Sequence, residues 1–509
     1  MKDLVADAAR LPGSLPAWHA ASADLRGIAE KARARKARLV ALWGSDERAR
    51  GAGFALHVAF GSKEGLLWLT VPLDRDQPRY PGIGDLFPAA NRMQRAAYDL
   101  VGVHADGGAD HRKWLRHGAW AAGTFPLRKD FAQNPENAQD RYPFVKVEGD
   151  GVHEIAVGPV HAGTIEPGHF RFSVAGEAVL RLEQRLGYTH KGTEKRFEQL
   201  SAHEGARLAG RISGDSTVAY AWAYAMALES ACGATAPARS VWLRGLALEL
   251  ERVANHLGDL GYLGNDVALS FGFFQFWRLK ETLLRLNREL FGHRYLMDYV
   301  VPGGVASDLD RAAGERLVAC ARSIAAEAAT LRAVYDEHAG AQDRFIMTGQ
   351  VPPELAQEHG LGGFAGRASG QADDLRADLA LPPYGMLEPA KAGHIRGDVA
   401  ARVSVRFEEL FESLRLIALI CSGMPGGPVL GPVAPAAVGS RGCGWVEGWR
   451  GEVFIALDIA HDARLHRVHA HDPSWQAWPL LERAVLGNIV PDFPLINKSF
   501  NLSYSGHDL

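Results

Sequence analysis

The sequence is poor in cysteine, which limits the metal chemistry that this chain can support by itself. Its four cysteines are Cys232, Cys320, Cys421 and Cys443. No two of them have the C-x-x-C spacing of a zinc or iron–sulfur ligand set, so we predict no local motif of that kind. Isolated cysteines are typical of a reducing compartment, where the side chain serves as a small apolar group.

An excess of charge of one sign is also absent. The chain has 56 Lys and Arg residues against 59 Asp and Glu residues, a formal net charge of −3. It therefore lacks the basic character of nucleic-acid-binding proteins. A basic run at residues 31–38 is short and is typical of a solvated helix face. We expect no nucleic-acid partner.

A long apolar run and a signal peptide are missing as well. The segment Val218–Leu228 is apolar but ends at Glu229, short of the roughly 20 residues that a membrane helix requires. The start, Met1–Asp7, has acidic residues where the apolar stretch of a signal peptide begins. We expect a soluble chain that is able to dock on a membrane partner.

The pattern of apolar residues predicts an α+β fold, and a hydrophobic content of 47% is enough to bury large cores. Residues 1–131 are predicted to form a small α+β domain, residues 132–144 a linker, and residues 145–509 a mainly helical domain with a small β segment. The clearest predicted strands and helices are 39–43, 54–60, 65–71, 239–257, 273–291 and 399–420.

Histidines near the end of the chain allow two interpretations. They are His461, His466, His469 and His471. The spacing of the last two would place both on one face of a strand, as a zinc site requires. The simpler interpretation is an exposed strand edge.

A second polar set, Glu249, Arg252 and His256, falls on one face of a predicted helix. This spacing favours an internal face of ion pairs and hydrogen bonds over a catalytic site.

Two segments of the N-terminal part carry a family resemblance. Residues 94–103 and the run F-P-L-R-K-D-F at residues 125–131 resemble the E-R-E-x-x-D-x-x-G and H-P-L-R-K-D-F segments of the small peripheral-arm subunit of respiratory complex I. Gln94 and Ala96 replace the two glutamates, and Phe125 replaces the histidine. The order and spacing match, which implies a domain of that kind.

The remainder resembles the quinone-site large subunit of complex I and its relatives, the energy-converting NiFe hydrogenases. The segments that carry this resemblance are 158–161, 166–172, 187–195, 249–257 and 302–305. Both parts joined in one polypeptide is the arrangement of formate-hydrogenlyase-type large subunits. The resemblance implies a hydrogenase large-subunit-like fold for residues 145–509.

The same resemblance identifies four places where the hydrogenases have nickel-binding cysteines. Residues 211–216 resemble their R-x-C-G-x-C motif, and residues 499–506 resemble their C-terminal D-P-C-x-x-C. The degenerate metal-ligand positions are Ser213, Ser216, Ser503 and Gly506. A serine hydroxyl is a hard, almost never ionised substitute for a thiolate, so we expect no metal. The end at Leu509 implies no tail for a maturation protease.

Three polar residues occupy positions to which the resemblance assigns chemistry. His161 would face a quinone and deliver a proton, Glu166 would relay protons as a partly buried carboxylate, and Asp266 would hydrogen-bond a quinone-site histidine. Each has a plainer interpretation: a turn histidine, a surface residue and a helix-capping aspartate. Ala202 stands at the position of the quinone-site tyrosine, which leaves quinone reduction open.

The resemblance implies a subunit of a membrane-associated, complex I-related oxidoreductase that couples electron transfer, to quinone or another acceptor, to ion translocation. The chain would hold no cofactor itself and would lie next to a 4Fe–4S cluster of an iron–sulfur small subunit. Other implied partners are a ferredoxin-like subunit and antiporter-like and quinone-site membrane subunits, with the chain peripheral on the cytoplasmic side of the inner membrane. Two alternatives stay open: an active NiFe hydrogenase large subunit and a non-catalytic scaffold.

Overall fold

The fold is mixed α+β, as predicted. The computed structural model describes residues 1–118, 120–121, 123–132, 141–161, 165–460 and 464–509. Residues 133–140 of the expected linker and His461 lie outside the described residues.

A five-stranded sheet forms near the start of the chain. Its strands are β1 (Ala9–Arg10), β2 (Ala17–Ala21), β3 (Arg38–Asp46), β4 (Phe54–Ser62) and β5 (Gly65–Leu73), in the order β1-β2-β5-β4-β3. Strands β2 and β5 are parallel, and the other neighbours are antiparallel. Helices α1 (Leu25–Ala34) and α2 (Ala90–Val101) and the strand pair β6 (Arg79–Pro81) and β7 (His104–Asp106) accompany it. The three predicted strands of this region are confirmed.

The predicted small β segment is a three-stranded antiparallel sheet. It consists of β8 (Val152–Val157), β9 (His169–Ala175) and β10 (Ala178–Arg185), in the order β10-β9-β8. The connection from β8 to β9 contains His161 and Glu166, so the sheet anchors both ends of the loop that holds these residues.

Helices dominate residues 193–423. They are α3 (Thr193–Phe197), α4 (Ala202–Ala209), α5 (Thr217–Cys232), α6 (Ala238–Asp266), α7 (Ser270–Phe291), α8 (Arg311–Glu337), α9 (Ala339–Phe345), α10 (Pro353–His359), α11 (Gly363–Ala368), α12 (Leu375–Asp378), α13 (Tyr384–Leu387) and α14 (Val399–Gly423), with a short strand pair β11 (Val300–Val301) and β12 (Gly304–Val305). The predicted helices lie within α6, α7 and α14.

A third sheet lies between the first sheet and the helices. It consists of β13 (Arg441–Glu447), β14 (Glu452–Ile459) and β15 (Leu465–His471), followed by α15 (Ser474–Ala484) and α16 (Phe493–Phe500). On one face Phe454 packs against Trp43 of the first sheet, with ring centroids 5.9 Å apart. On the other face Val446 and Ile455 belong to the same apolar core as α5.

Helix α5 is buried because β13 approaches it very closely. A Cβ atom on Gly442 would lie 2.0 Å from the carbonyl oxygen of Ala227, and one on Gly444 would lie 1.9 Å from that of Ala223, so only glycine fits at both places. The apolar run at residues 218–228 is thus explained by burial within the protein. No helix among the described residues is both long enough and apolar enough to cross a bilayer.

A buried ionic network holds α6, α12 and α14 together. The carboxylate of Glu249 accepts hydrogen bonds from Arg376 (3.1 Å), Tyr384 (2.7 Å) and Ser413 (2.7 Å), and Arg376 also pairs with Asp374 at 2.7 Å. Burial alone would raise the pKa of Glu249, but the facing arginines lower it below its ordinary value. The carboxylate therefore stays charged inside the core.

The network continues along α6 to Glu409 of α14. Arg252 and His256 lie 3.4 and 3.2 Å from Glu409 Oε2, and Arg367 donates to Oε1 at 2.6 Å. The predicted internal face of Glu249, Arg252 and His256 is confirmed.

Strand β15 corrects one interpretation of the sequence. All of its residues are buried. His469 Nδ1 lies 2.9 Å from Glu194 of α3 and its ring stacks on Trp43, and His471 Nε2 lies 3.0 Å from Gln476 of α15. The expected exposed edge is wrong, because α3, α15 and the first sheet cover this strand.

We expect Arg376→Leu to lower the free energy of unfolding by about 3–5 kcal/mol, since it removes the nearest cation from two buried carboxylates, Glu249 and Asp374. Urea unfolding followed by tryptophan fluorescence measures the change. Arg311→Leu is the control: it removes an exposed pair with Glu315 on α8 and should have no measurable effect. Equal losses in the two variants would contradict the expectation.

Candidate functional site

The segment that follows α16 is buried and forms the centre of the candidate site. Asn501 ends the helix with a left-handed φ of 43°, and residues 502–509 are all buried. This tail passes the loop between α4 and α5, the loop between β8 and β9, and the start of α15. Residues far apart in the sequence thereby surround one short stretch of chain.

Two of the four degenerate positions are in direct contact. The Oγ atoms of Ser213 and Ser503 lie 3.0 Å apart, and Ser213 donates to Asp215 Oδ1 at 2.7 Å. Ser503 Oγ also accepts from the backbone N–H of Gly506 at 2.9 Å. The serine hydroxyls are therefore engaged with each other and with neighbouring groups of the same two motifs.

Ser216, the third position, belongs to a charged cluster beside this contact. Its Oγ accepts from Trp449 Nε1 at 3.1 Å and from Arg450 at 3.3 Å. Arg450 forms a bidentate ion pair with Asp215 and donates to the carbonyl of Asn501. Burial would raise the pKa of Asp215, but the Arg450 guanidinium lowers it below its ordinary value, so the pair is ionic.

At the fourth position the space for a side chain is already filled. A Cβ atom on Gly506 would lie 2.5 Å from Asp472 Oδ2 and 2.9 Å from Ser503 Oγ. The Asp472 carboxylate is held in place by Tyr220 Oη, which donates at 2.7 Å, and by the backbone N–H of Ser474 at 2.9 Å. An aspartate thus occupies the place into which a fourth thiolate would project.

These groups do not fit a NiFe centre. Three serine hydroxyls and a glycine offer no soft anionic ligand, and the Arg450 guanidinium stands beside the cluster as a fixed positive charge. Among the described residues, no three His, Cys, Asp or Glu side chains converge as a metal-ligand set. Hydrogen bonds and one ion pair hold this cluster of residues together instead.

His161 and Glu166 lie beside the tail, in the loop between β8 and β9. His161 Nε2 donates to the carbonyl of Gly168 at 2.7 Å, and its ring packs near Phe170. Glu166 is exposed rather than partly buried, and its Oε2 accepts from the backbone N–H of Ser505 at 3.1 Å. Ser505 is only two residues after Ser503, so this hydrogen bond holds the loop next to the serine cluster.

Asp266 does not join these residues. It is the last residue of α6 and lies near Lys498 of α16. Burial raises the pKa of Asp266 to about 6, against the opposing effect of Lys498. The expected bond to a histidine is not among its described contacts, and the residue stands as a separate carboxylate.

The quinone-site tyrosine position holds Ala202, which is buried at the start of α4. Its carbonyl oxygen accepts a hydrogen bond from Tyr224 Oη at 2.6 Å, while the neighbouring His203 is exposed. The turn at residues 201–206 contains no tyrosine, so it offers no phenol in place of the missing one.

A buried carboxylate behind the pocket was missed by sequence reasoning. Glu251 of α6 accepts from the backbone N–H groups of Val218 and Ala219, at 2.6 and 3.2 Å, and so caps the start of α5. Burial raises the pKa of Glu251 to about 8, and the nearby Asp215 adds to the rise. The sequence feature that could have pointed to Glu251 was its position within the segment 249–257, which carries part of the family resemblance.

Arg450 and Asp472 were missed as well. No motif marked either residue, and each reaches the pocket from the third sheet or its end. Asp215 lies between the two serine positions of its motif, so its neighbourhood, though not its ion pair, was visible in the sequence.

Comparison with known proteins agrees with this geometry. Residues 18–137 match the model of the respiratory-chain NADH dehydrogenase 30 Kd subunit, and residues 266–443 match that of the 49 Kd subunit. The fold and site therefore define a fused subunit of the complex I type.

Curated relatives give the finer placement. Formate hydrogenlyase subunit 5 of Escherichia coli (strain K12) is 31% identical over 481 residues, covering 92% of this chain and 84% of the relative. The C/D subunit of NADH-quinone oxidoreductase from Phocaeicola vulgatus is 28% identical over 456 residues, covering 84% of this chain and 87% of the relative. The chain belongs to this family of complex I-related oxidoreductase subunits, in which 30 Kd and 49 Kd parts are fused.

A solved structure shows the same architecture. A chain of the membrane-bound sulfane sulfur reductase, an archaeal respiratory membrane complex, superposes with a TM-score of 0.66 at 25% identity, covering 70% of this chain and 99% of that one. Relatives of the chain thus work within membrane-bound respiratory complexes.

We expect Gly506→Ala to lower the free energy of unfolding by about 1–3 kcal/mol, because the new methyl group overlaps the Asp472 carboxylate. Gly214→Ala is the matched control, since a Cβ atom there meets nothing within 4 Å. Thermal and urea unfolding measure both. A neutral Gly506→Ala would contradict the close packing of Asp472.

We expect Glu251→Gln to change how stability depends on pH. Between the ordinary carboxyl pKa of 4.5 and about 8, the folded protein keeps a proton that the unfolded chain releases, so Glu251 lowers stability as pH rises. The stability of the variant relative to the wild type should therefore increase from pH 5 to pH 8. Urea unfolding at several pH values tests this, and a difference that is constant with pH would be contrary to it.

Proposed function

We propose that this chain forms the wall of the redox cavity in a membrane-associated, complex I-related oxidoreductase that works without a NiFe centre. The observation that carries the proposal is the Asp472 carboxylate, which fills the place of the fourth metal ligand beside Gly506 while the family framework around it is kept. The same framework places the loop of His161 and Glu166 against the tail.

The proposed reaction is electron transfer from a 4Fe–4S cluster of a partner iron–sulfur subunit to a small oxidised acceptor. A quinone takes up two protons with two electrons, and proton delivery by positioned side chains is the role that His161 and Glu166 would have. Asp266, with its pKa near 6, lies apart from these residues at the end of α6 and would take up and release protons there.

The acceptor is proposed by class, because the tyrosine of the quinone site is replaced. Ala202 has no phenol that could hydrogen-bond a quinone, and its backbone carbonyl accepts a hydrogen bond from Tyr224. The names of the relatives include a quinone oxidoreductase and a sulfane sulfur reductase, so a quinone and a polysulfide are the two acceptors to test.

The finer assembly is part of the proposal. Ferredoxin-like, antiporter-like and quinone-site membrane subunits would complete the complex, with this chain peripheral on the cytoplasmic side and ion translocation driven by the redox step. The division of the chain at residues 131 and 145 is part of the proposal as well. The 30 Kd match ends at residue 137, within the proposed linker, and the 49 Kd match begins at residue 266.

The test is the triple variant His161→Ala, Glu166→Gln and Asp266→Asn, studied in the intact complex purified from membranes. Reduced methyl viologen serves as the electron donor, and decylubiquinone and polysulfide serve as acceptors. We expect turnover with the productive acceptor to fall by about 100-fold or more, the usual size of a general acid–base contribution. The set of assembled subunits and the cluster spectra should stay unchanged.

The matched control replaces exposed residues of the same sheet, His153→Ala and Glu177→Gln, and should keep full turnover. Unchanged turnover in the triple variant would make the chain a non-catalytic scaffold and overturn the proposal. Stoichiometric nickel in the purified complex, or reduction of viologen by hydrogen, would overturn it in favour of a working hydrogenase.

A further inference from the structure

A large cavity lies away from the serine cluster, where α5, the start of α6, α12–α13 and β13 meet the segment before β2. Its volume is about 470 Å³, within the range of sites that enclose small organic ligands. The exposed residues of its lining, which mark its mouth, are Pro12–Ser14, Thr235, Ala238, Pro382 and Met386. The proposed function uses none of these residues.

The walls of the cavity are mainly apolar and aromatic. Trp222, Trp242 and Trp445 supply three indole rings from α5, α6 and β13, and Met226 and Leu375 add further apolar side chains to the lining. The three tryptophans are each less than a tenth exposed. Indole rings offer broad flat faces, on which another flat ring packs better than a flexible chain.

The first charged pair in the wall is neutralised within the wall. Arg244 donates to Glu229 at 2.6 and 3.1 Å and to the carbonyls of Gly304 and Val301. Glu229 also accepts from the backbone N–H of Gly303 at 2.8 Å. This pair has no net charge to offer a ligand.

Two further charged groups in the wall, Arg376 and Glu447, are each neutralised by neighbouring residues. Arg376 is committed to Glu249 and Asp374, and Glu447 accepts from Arg367 at 3.0 Å and from the backbone N–H of Leu375 at 3.2 Å. A charged ligand would lose its hydration without gaining a counter-charge, which is costly. The cavity therefore selects against ions of either sign.

We propose that this cavity binds a neutral molecule with a flat ring system. Burial of the ring against the indoles that line the cavity supplies the affinity. Because Arg244 is paired with Glu229 and Glu447 with Arg367, the wall offers no free charge to an anion or a cation. The inference is independent of the proposed redox function, since the cavity and the serine cluster share no residue.

The test uses the purified full-length chain and the neutral fluorescent probe N-phenyl-1-naphthylamine. We expect saturable one-to-one binding, with tryptophan fluorescence quenched as the probe signal rises. Ala236→Trp at the mouth and Met226→Trp in the wall should each weaken binding at least tenfold. Ala312→Trp on the exposed face of α8 is the matched control and should leave binding unchanged, and thermal unfolding verifies that each variant is folded.

Competition distinguishes the chemistry of the ligand. We expect 2,3-dimethyl-1,4-naphthoquinone to displace the probe, dodecanol to displace it at least tenfold less well, and 1-naphthalenesulfonate not to displace it. Equal displacement by dodecanol would overturn the preference for a ring, and displacement by the sulfonate would overturn the selection against charge. Binding that persists in both folded tryptophan variants would overturn the site itself.

Discussion

The burial of residues 502–509 as irregular chain is the constraint on which the other parts of the structure depend. A buried backbone group without a partner costs about as much as a lost hydrogen bond. The N–H and C=O groups of this tail therefore need hydrogen-bond partners from the segments around it. Glu166 accepts from the N–H of Ser505, and Asp508 binds His190 at 3.1 Å. The loop of the second sheet and the motif before α3 are thereby held around the tail, together with the serine motif and α15.

Polar groups that bond to one another occupy the positions at which the resemblance to the hydrogenases would place metal ligands. A NiFe centre needs thiolates to balance its charge, whereas here the charges balance within the protein, Arg450 against Asp215. Asp472 takes up the space that the fourth ligand would need and is bonded by Tyr220. Serine at Ser213 therefore serves as a hydrogen-bond donor in a well-connected cluster.

Most of the fold could be predicted from local patterns. Strands β3–β5 are short, nearly continuous apolar runs, and helices α6, α7 and α14 are long segments with apolar residues at helical spacing. This local information survives without tertiary context. The histidines of β15 show the limit. The spacing of His469 and His471 fitted a strand, but the burial of this strand depends on α3, α15 and β3, which come from elsewhere in the chain.

The sequence by itself determined the family and the absence of cysteine at residues 213, 216, 503 and 506, because both depend on which residues stand at ordered motif positions. It also marked the loop of His161 and Glu166. Only the tertiary structure decided what surrounds these positions. Arg450 reaches Asp215 across 235 residues of sequence, and Tyr220 reaches Asp472 across 252. Contacts over such separations are set by the packing of sheets and helices, and no local pattern records them.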